Sequence, residues 1–117
     1  MKTLLIVDDH PGFRAIARAA LATAFSIVGE AADARSGLAL ARQLDPDVVL
    51  LDVELPDADG FALASALAAQ RDRPVVVLTS SLDPKDLKPL IERSPARGFI
   101  EKERLSAAAL SSLLRLA

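Results

Sequence analysis

Several short apolar runs in this chain end on side chains that can do chemistry. Leu4–Val7 is followed by Asp8 and Asp9, Val48–Leu51 by Asp52, and Val75–Leu78 by Thr79 and Ser80. A weaker run, Gly98-Phe99-Ile100, leads through Glu101 to Lys102. If these runs are parallel strands of one sheet, their carboxyl ends share an edge, and open α/β sheets bind ligands at that edge. Three carboxylates left unpaired there would raise one another's pKa values. A hard divalent cation removes that conflict, and an all-oxygen site with few protein ligands and several waters suits Mg²⁺. A carboxylate beside Mg²⁺ can serve as a nucleophile toward phosphorus and become an aspartyl phosphate. Lys102 and Thr79 would then hold the remaining phosphoryl oxygens.

Taken singly, each residue has a plainer use. An Asp at a strand end is most often a turn or helix cap, and Asp8-Asp9 could simply start a helix. Thr79 and Ser80 alone would be loop or cap residues. His10 reads as a loop residue at the start of the first helix, with a side chain the chemistry does not need. Lys102 alone would be a solvated lysine, yet the chain uses Lys four times against ten Arg, so a lysine at this place is not routine filler. What favours the chemistry is that all of these groups fall at the same end of successive strands.

Short apolar runs without polar alternation suit strands buried on both faces. Ile27-Val28 adds a weaker strand. Helical spacing follows Pro11, with Phe13, Ile16, Ala17, Ala20, Leu21 and Ala24 on one face. A second helix is predicted over Ala34–Leu44, with Leu38, Ala41 and Leu44 inward. A third begins near Gly60 and carries Phe61, Ala64, Leu67 and Ala68. A fourth begins at Asp83-Pro84, a cap followed by proline at the first helical position. Pro89 is expected to leave it short, kinked or partly unwound. The fifth is expected over roughly Glu103–Leu116, with Leu105, Ala109, Leu113 and Leu116 inward. Leu110 and Leu114 would then point away and make a second copy of the chain a candidate partner. The alternation βαβαβαβαβα gives an α/β domain with a single parallel sheet and helices on both faces.

Composition excludes several other functions. A chain of 117 residues is one domain of ordinary size. Its net charge of −2 leaves no basic footprint for binding nucleic acid. The absence of cysteine removes thiolate nucleophiles, thiolate zinc sites and iron–sulfur ligation, and one histidine cannot build a multi-histidine site. No stretch approaches the roughly 18 apolar residues that span a bilayer, and the N-terminal apolar run stops at Asp8, too early for a signal segment. A cytoplasmic protein with no membrane partner is expected.

Four segments together resemble the receiver domain of two-component response regulators over essentially the whole of residues 1–117. They are Leu5-Ile6-Val7-Asp8-Asp9-His10-Pro11, Val48-Val49-Leu50-Leu51-Asp52-Val53-Glu54-Leu55-Pro56 with Gly60, Val76-Val77-Leu78-Thr79-Ser80, and Gly98-Phe99-Ile100-Glu101-Lys102. The resemblance implies a doubly wound, flavodoxin-like sheet of five parallel strands in the order 2-1-3-4-5. Asp52 would accept a phosphoryl group from a sensor histidine kinase or phosphotransfer protein. Asp8, Asp9, Asp52 and the backbone carbonyl of Glu54 would hold Mg²⁺. Thr79 and Lys102 would bind the phosphoryl oxygens, and Phe99 would be either a core aromatic or the family's aromatic switch. Glu54 and Ser81 would flank the phosphoryl group. Asp9-His10-Pro11 with Phe13-Arg14 is similar to regulators whose output is a LuxR-type helix-turn-helix. Glu103 after Lys102, where many receivers have proline, implies no cis peptide. The chain ends just after the fifth helix, so a stand-alone regulator and one part of a transcription factor are both expected readings. A pseudo-receiver that never carries phosphate is the alternative, suggested by Pro89 and Ser94-Pro95. An aspartate-nucleophile phosphatase usually has Asp-x-Asp, and a flavodoxin-like cofactor binder needs a Gly/Ser/Thr-rich phosphate loop; the chain has neither after its first strand.

Overall fold

Successive residues of a strand face opposite sides of a sheet, and here both sides are apolar. The computed structural model describes residues 1–115. Its elements are β1 (Thr3–Val7), α1 (Pro11–Leu21), β2 (Ser26–Ala31), α2 (Ala34–Leu44), β3 (Val48–Asp52), α3 (Gly60–Ala68), β4 (Val75–Ser80), α4 (Pro84–Arg93), β5 (Gly98–Glu101), a 3₁₀ turn (Lys102–Arg104) and α5 (Ala107–Arg115). The five strands are parallel and lie in the order β2-β1-β3-β4-β5. Leu5, Val7, Val49, Leu51, Val76 and Leu78 pack on one face against residues of α2, α3 and α4. Leu4, Ile6, Val48, Leu50 and Val77 pack on the other against Ala17 and Leu21 of α1 and Leu110 of α5. Two-sided burial explains why β1, β3 and β4 read as unbroken apolar runs. The edge strands β2 and β5 are only partly buried, and their signals are correspondingly weak.

Caps set the helix starts. Asp33, Asp59 and Asp83 accept backbone N–H bonds from Ser36, Ala62 and Lys85 at the entrances of α2, α3 and α4. Asp83 is followed by Pro84 at the first helical position, as its spacing predicts. Pro89 lies inside α4 without ending it: the helix runs on to Arg93. It stops where Ser94 takes an extended conformation, which the following Pro95 imposes by steric conflict with helical backbone. So, against expectation, α4 is neither short for this fold nor unwound at Pro89: it has 10 residues, against 9 in α3 and 11 in α1. The described residues contain no cis peptide.

Two expectations are corrected. Ile16 is not on the buried face of α1 but is 64% exposed, and Ala24 lies beyond the end of the helix. The buried arc centres on Ala17 and Leu21, and Ile16 is turned about 100° from Ala17. The second correction concerns the last helix. Residues 102–104 form a separate 3₁₀ turn, Leu105 is extended, and α5 starts at Ala107. Ser106 supplies the start signal, its hydroxyl accepting the Ala109 N–H at 3.0 Å. Leu105, Ala109 and Leu113 pack against the core as expected, but the inward arc is wider and takes in Leu110 and Leu114 as well. Leu110 is fully buried, and Ala107, Leu113 and Leu114 pack around it at helical spacing. The leucines that suggested a second copy of the chain as partner therefore belong to the core. Leu116, counted on the inward stripe, lies outside the described residues.

Replacing Leu110 with Ala is expected to cost about 2–5 kcal/mol in denaturant unfolding, the usual range for emptying a buried leucine site. A loss under about 0.5 kcal/mol, typical of surface positions, would contradict the buried placement of Leu110.

Candidate functional site

The strand ends bring the chemistry together. Register sets Val7 beside Leu51, and Asp52 beside Thr79 on the neighbouring strand. Asp8 follows β1 directly, Asp52 ends β3, and Thr79 lies near the end of β4; all three are almost completely buried. Asp9 is more open, at the rim. Lys102 enters from the 3₁₀ turn after β5. Its Nζ lies 2.8 Å from Asp8 Oδ2 and 3.0 Å from Asp52 Oδ2, so one ammonium bridges two buried carboxylates. The Phe13 ring of α1 lies beneath that ammonium, 4.4 Å from its centroid.

Backbone contacts fix the carboxylates. Asp8 Oδ1 accepts the His10 N–H at 2.8 Å, and Asp52 Oδ1 accepts the Glu54 N–H at 3.0 Å. Arg14 donates to the Asp8 carbonyl oxygen at 2.7 Å and also pairs with Glu30, which Arg18 shares. The loop from Val53 to Gly60 folds back on itself. Gly60 donates to the Val53 carbonyl at 2.7 Å, and Glu54 bridges to Asp59. A β-carbon at Gly60 would collide with the Asp52 carbonyl oxygen, which is why only glycine fits there. Asp57 ties the same loop to the start of α2, accepting the Ala34 and Arg35 N–H groups at 2.8 and 3.0 Å. Those two bonds hold the Asp57 carboxyl below its usual pKa.

Charge in the cleft is unbalanced. Asp8, Asp9 and Asp52 face one ammonium, an excess of two negative charges when His10 is neutral. Burial pushes the Asp52 pKa up and the Asp8 charge adds to it, outweighing the Glu54 N–H and Lys102. Burial alone would pull Lys102 down, but its bonds to Asp8 and Asp52 win and leave it raised. Two further buried atoms, Asp9 Oδ1 and Thr79 Oγ1, make no hydrogen bond among the described residues. Carboxylates in excess, with buried oxygens lacking donors, suit a hard dication. The Thr79 hydroxyl is left free to serve an incoming oxygen.

Of the residues singled out from sequence, Asp8, Asp9, Asp52, Thr79 and Lys102 do share this cleft. Ser80 does not contribute its hydroxyl, which accepts the Leu82 N–H at 3.0 Å instead. Phe99 is half-buried and lines a hollow between β5 and α4 with Pro84, Lys85, Lys88 and Ile91. Sequence alone assigns the His10 side chain no task, but its Nδ1 sits among the acids, 3.0 Å from Asp8 Oδ1, 3.1 Å from Asp9 Oδ1 and 3.8 Å from Asp52 Oδ2. Phe13, read as a core residue, and Asp57 were missed as supports of the site. Adjacency to Asp9 was the available signal for His10. For Asp57 there was none, because its partners are more than twenty residues away.

The family model for the response regulator receiver domain matches residues 4–114. This chain belongs to that family. The receiver is 32% identical over 104 residues to the nitrate/nitrite response regulator protein NarL of Escherichia coli, covering 86% of this chain and 48% of that protein. It is 30% identical over 120 residues to the transcriptional regulatory protein LiaR of Bacillus subtilis, covering all of this chain and 56% of that one. This receiver thus spans about half the length of these curated relatives. In structure it is similar to the signal receiver domain of NarL from Mycobacterium tuberculosis, with a TM-score of 0.83, 30% identity and 98% of each chain covered. The response regulator domain of Thermotoga maritima CheB shares the fold, with a TM-score of 0.85 at 20% identity over 98% of this chain and 95% of that one. The receiver is accordingly a domain of two-component signal transduction. No helix among the described residues is long and apolar enough to cross a membrane.

Two substitutions are expected to shift stability in opposite directions in metal-free solution at neutral pH. Asp52→Asn removes one excess charge and should stabilise by on the order of 1 kcal/mol, the screened remainder of a repulsion on the order of 3 kcal/mol at the spacing seen here. Because the folded-state pKa of Asp52 is raised, its cost is absent below pH 3.8 and builds as pH rises through the raised value. The Asn gain should therefore vanish in acid. Lys102→Gln leaves the buried carboxylates unbalanced and should cost about 3 kcal/mol. Its raised pKa means that this contribution is present below pH 10.5 and is lost as pH rises further. Urea unfolding across pH measures both; destabilisation by Asp52→Asn would contradict the charge account.

Proposed function

We propose that this receiver is a phosphorylation switch with Asp52 as acceptor. The reading is carried by a single observation: a nearly buried carboxylate held between an ammonium and a backbone N–H, beside a buried hydroxyl that has no partner. A carboxylate oxygen of Asp52 attacks the phosphorus of a phosphohistidine. The P–O bond forms as the P–N bond breaks, and the donor imidazole leaves with the bonding pair and takes a proton from solvent. Lys102 passes from the carboxylate to a phosphoryl oxygen, and the Thr79 hydroxyl donates to another. Asp8, Asp9, Asp52 and the Glu54 carbonyl would hold the divalent cation of the Mg²⁺ type that the family uses. When bound, that ion neutralises charge on the transferring group.

The modification adds about −1.5 to −2 charges at the sheet edge. Thr79 and Lys102 are drawn toward it, and through β4 and β5 the change reaches the hollow beside Phe99. A shift between two packings of that surface would carry the signal to an output. The partners on this reading are a sensor histidine kinase or phosphotransfer protein upstream and a regulatory output downstream. Transcriptional output fits what the relatives are named for, and a switch rather than a turnover enzyme fits a single acceptor carboxylate.

Incubation of folded protein with Mg²⁺ and acetyl phosphate is expected to add the mass of one phosphoryl group. Asp52→Asn, or removal of Mg²⁺ with chelator, should abolish the gain. An unchanged intact mass would leave the pseudo-receiver reading standing and overturn this one.

A further inference from the structure

The imidazole of His10 has no assigned task in the phosphoryl chemistry, yet it occupies the centre of the acidic cluster. Asp8, Asp9, His10 and Asp52 each present one donor atom, and these atoms lie within 4.8 Å of one another. Nδ1 is 3.0 and 3.1 Å from oxygens of Asp8 and Asp9. Neighbouring ligands around an octahedral ion with bonds of about 2.1 Å stand about 3.0 Å apart, so these separations suit a shared ion. Core packing does not hold the ring there, because 61% of the side chain is exposed. Nor does the helix require it: His10 occupies the cap position of α1, but its side chain makes no capping bond, and Pro11 already presets the first turn. Nδ1 also lies 3.8 Å from Asp52 Oδ2 and 3.4 Å from Lys102 Nζ, so the ring nitrogen sits where the acids and the ammonium converge. The buried Thr79 hydroxyl, which has no hydrogen-bond partner among the described residues, shows independently of the ring that the cleft is built for something more than the side chains now in it.

We propose that His10 Nδ1 is a direct ligand of the divalent cation, which makes the site more selective for a transition-metal dication such as Mn²⁺ or Co²⁺. This rests on the metal-binding reading of the acidic cleft. The physical reason is ligand softness. Carboxylates and carbonyls suit Mg²⁺, whereas an imidazole nitrogen contributes more to a borderline first-row ion. Replacing an oxygen or water ligand by nitrogen shifts the ratio of affinities, even though the acids still bind either ion.

The chain has one histidine, so the test has one source of signal in tag-free protein. Electron spin-echo modulation of bound Mn²⁺ is recorded on protein with natural histidine and on protein labelled with ¹⁵N-histidine. The expected result is a ¹⁴N coupling that converts to ¹⁵N on labelling and is lost in His10→Ala, while that variant still binds Mn²⁺. Calorimetric titration should show His10→Ala weakening Mn²⁺ and Co²⁺ about tenfold or more, with Mg²⁺ changed by less than about threefold. Circular dichroism and the urea midpoint establish that the variant is folded. Mn²⁺ bound without histidine coupling, or equal losses for all three ions, overturns the inference and leaves the acidic site intact. Failure of the wild-type protein to bind Mn²⁺ or Mg²⁺ overturns both.

Discussion

Buried like charge organises this molecule. Asp8 and Asp52 are each almost fully removed from water and lie side by side because β1 and β3 are neighbours in a parallel sheet. A fold selected for stability alone would place apolar residues there. One lysine partly relieves the conflict by bridging both carboxylates, and the Phe13 ring and the backbone N–H groups of His10 and Glu54 steady the arrangement. The remainder is available for ligands. A cation gains affinity from the excess negative charge, and a phosphoryl group gains the ammonium and a waiting hydroxyl.

The apolar layers make that conflict tolerable. Valine, leucine and isoleucine on both faces of β1, β3 and β4 anchor the strands, so their ends cannot spread apart to separate the acids. Around this frame, polar clamps act where the chain must turn. Asp57 pins the β3–α3 loop to α2, Gly60 allows that loop to press against the end of β3, and Arg14 holds the carbonyl of Asp8. The Asp57 clamp joins elements more than twenty residues apart, whereas those at Gly60 and Arg14 tie the ends of β3 and β1 to the turns that follow them. The site is thereby set before any ligand arrives, which is the condition for electrostatic stabilisation to be effective.

Much of this was legible from sequence, for identifiable reasons. The continuous apolar runs announced doubly buried strands, and the acids, hydroxyl and lysine following them announced the shared edge. The caps at Asp83 and the start at Gly60 were likewise local signals. What is not legible locally depends on tertiary context. Leu110 reads as outward when the stripe is anchored on Leu105, which is extended and lies outside α5; the inward arc takes in Leu110 and Leu114 together with Ala109 and Leu113. Ile16 fits a loose helical spacing yet lies outside the arc centred on Ala17 and Leu21 and is exposed. His10 looked dispensable because its direction is set by the Asp8 turn, and no spacing rule conveys side-chain direction. Asp57 could be recognised as a clamp only once α2 was known to start beside it.

The charge account is tested most directly by the unfolding free energy as a function of free Mg²⁺. If the excess carboxylates await a cation, stability should climb once Mg²⁺ exceeds its dissociation constant, by about 1.4 kcal/mol per tenfold. The climb should be much reduced when Asp9 is replaced by Asn. A flat response across millimolar Mg²⁺, in protein shown to be folded, would contradict the claim that this cleft is built around unbalanced charge.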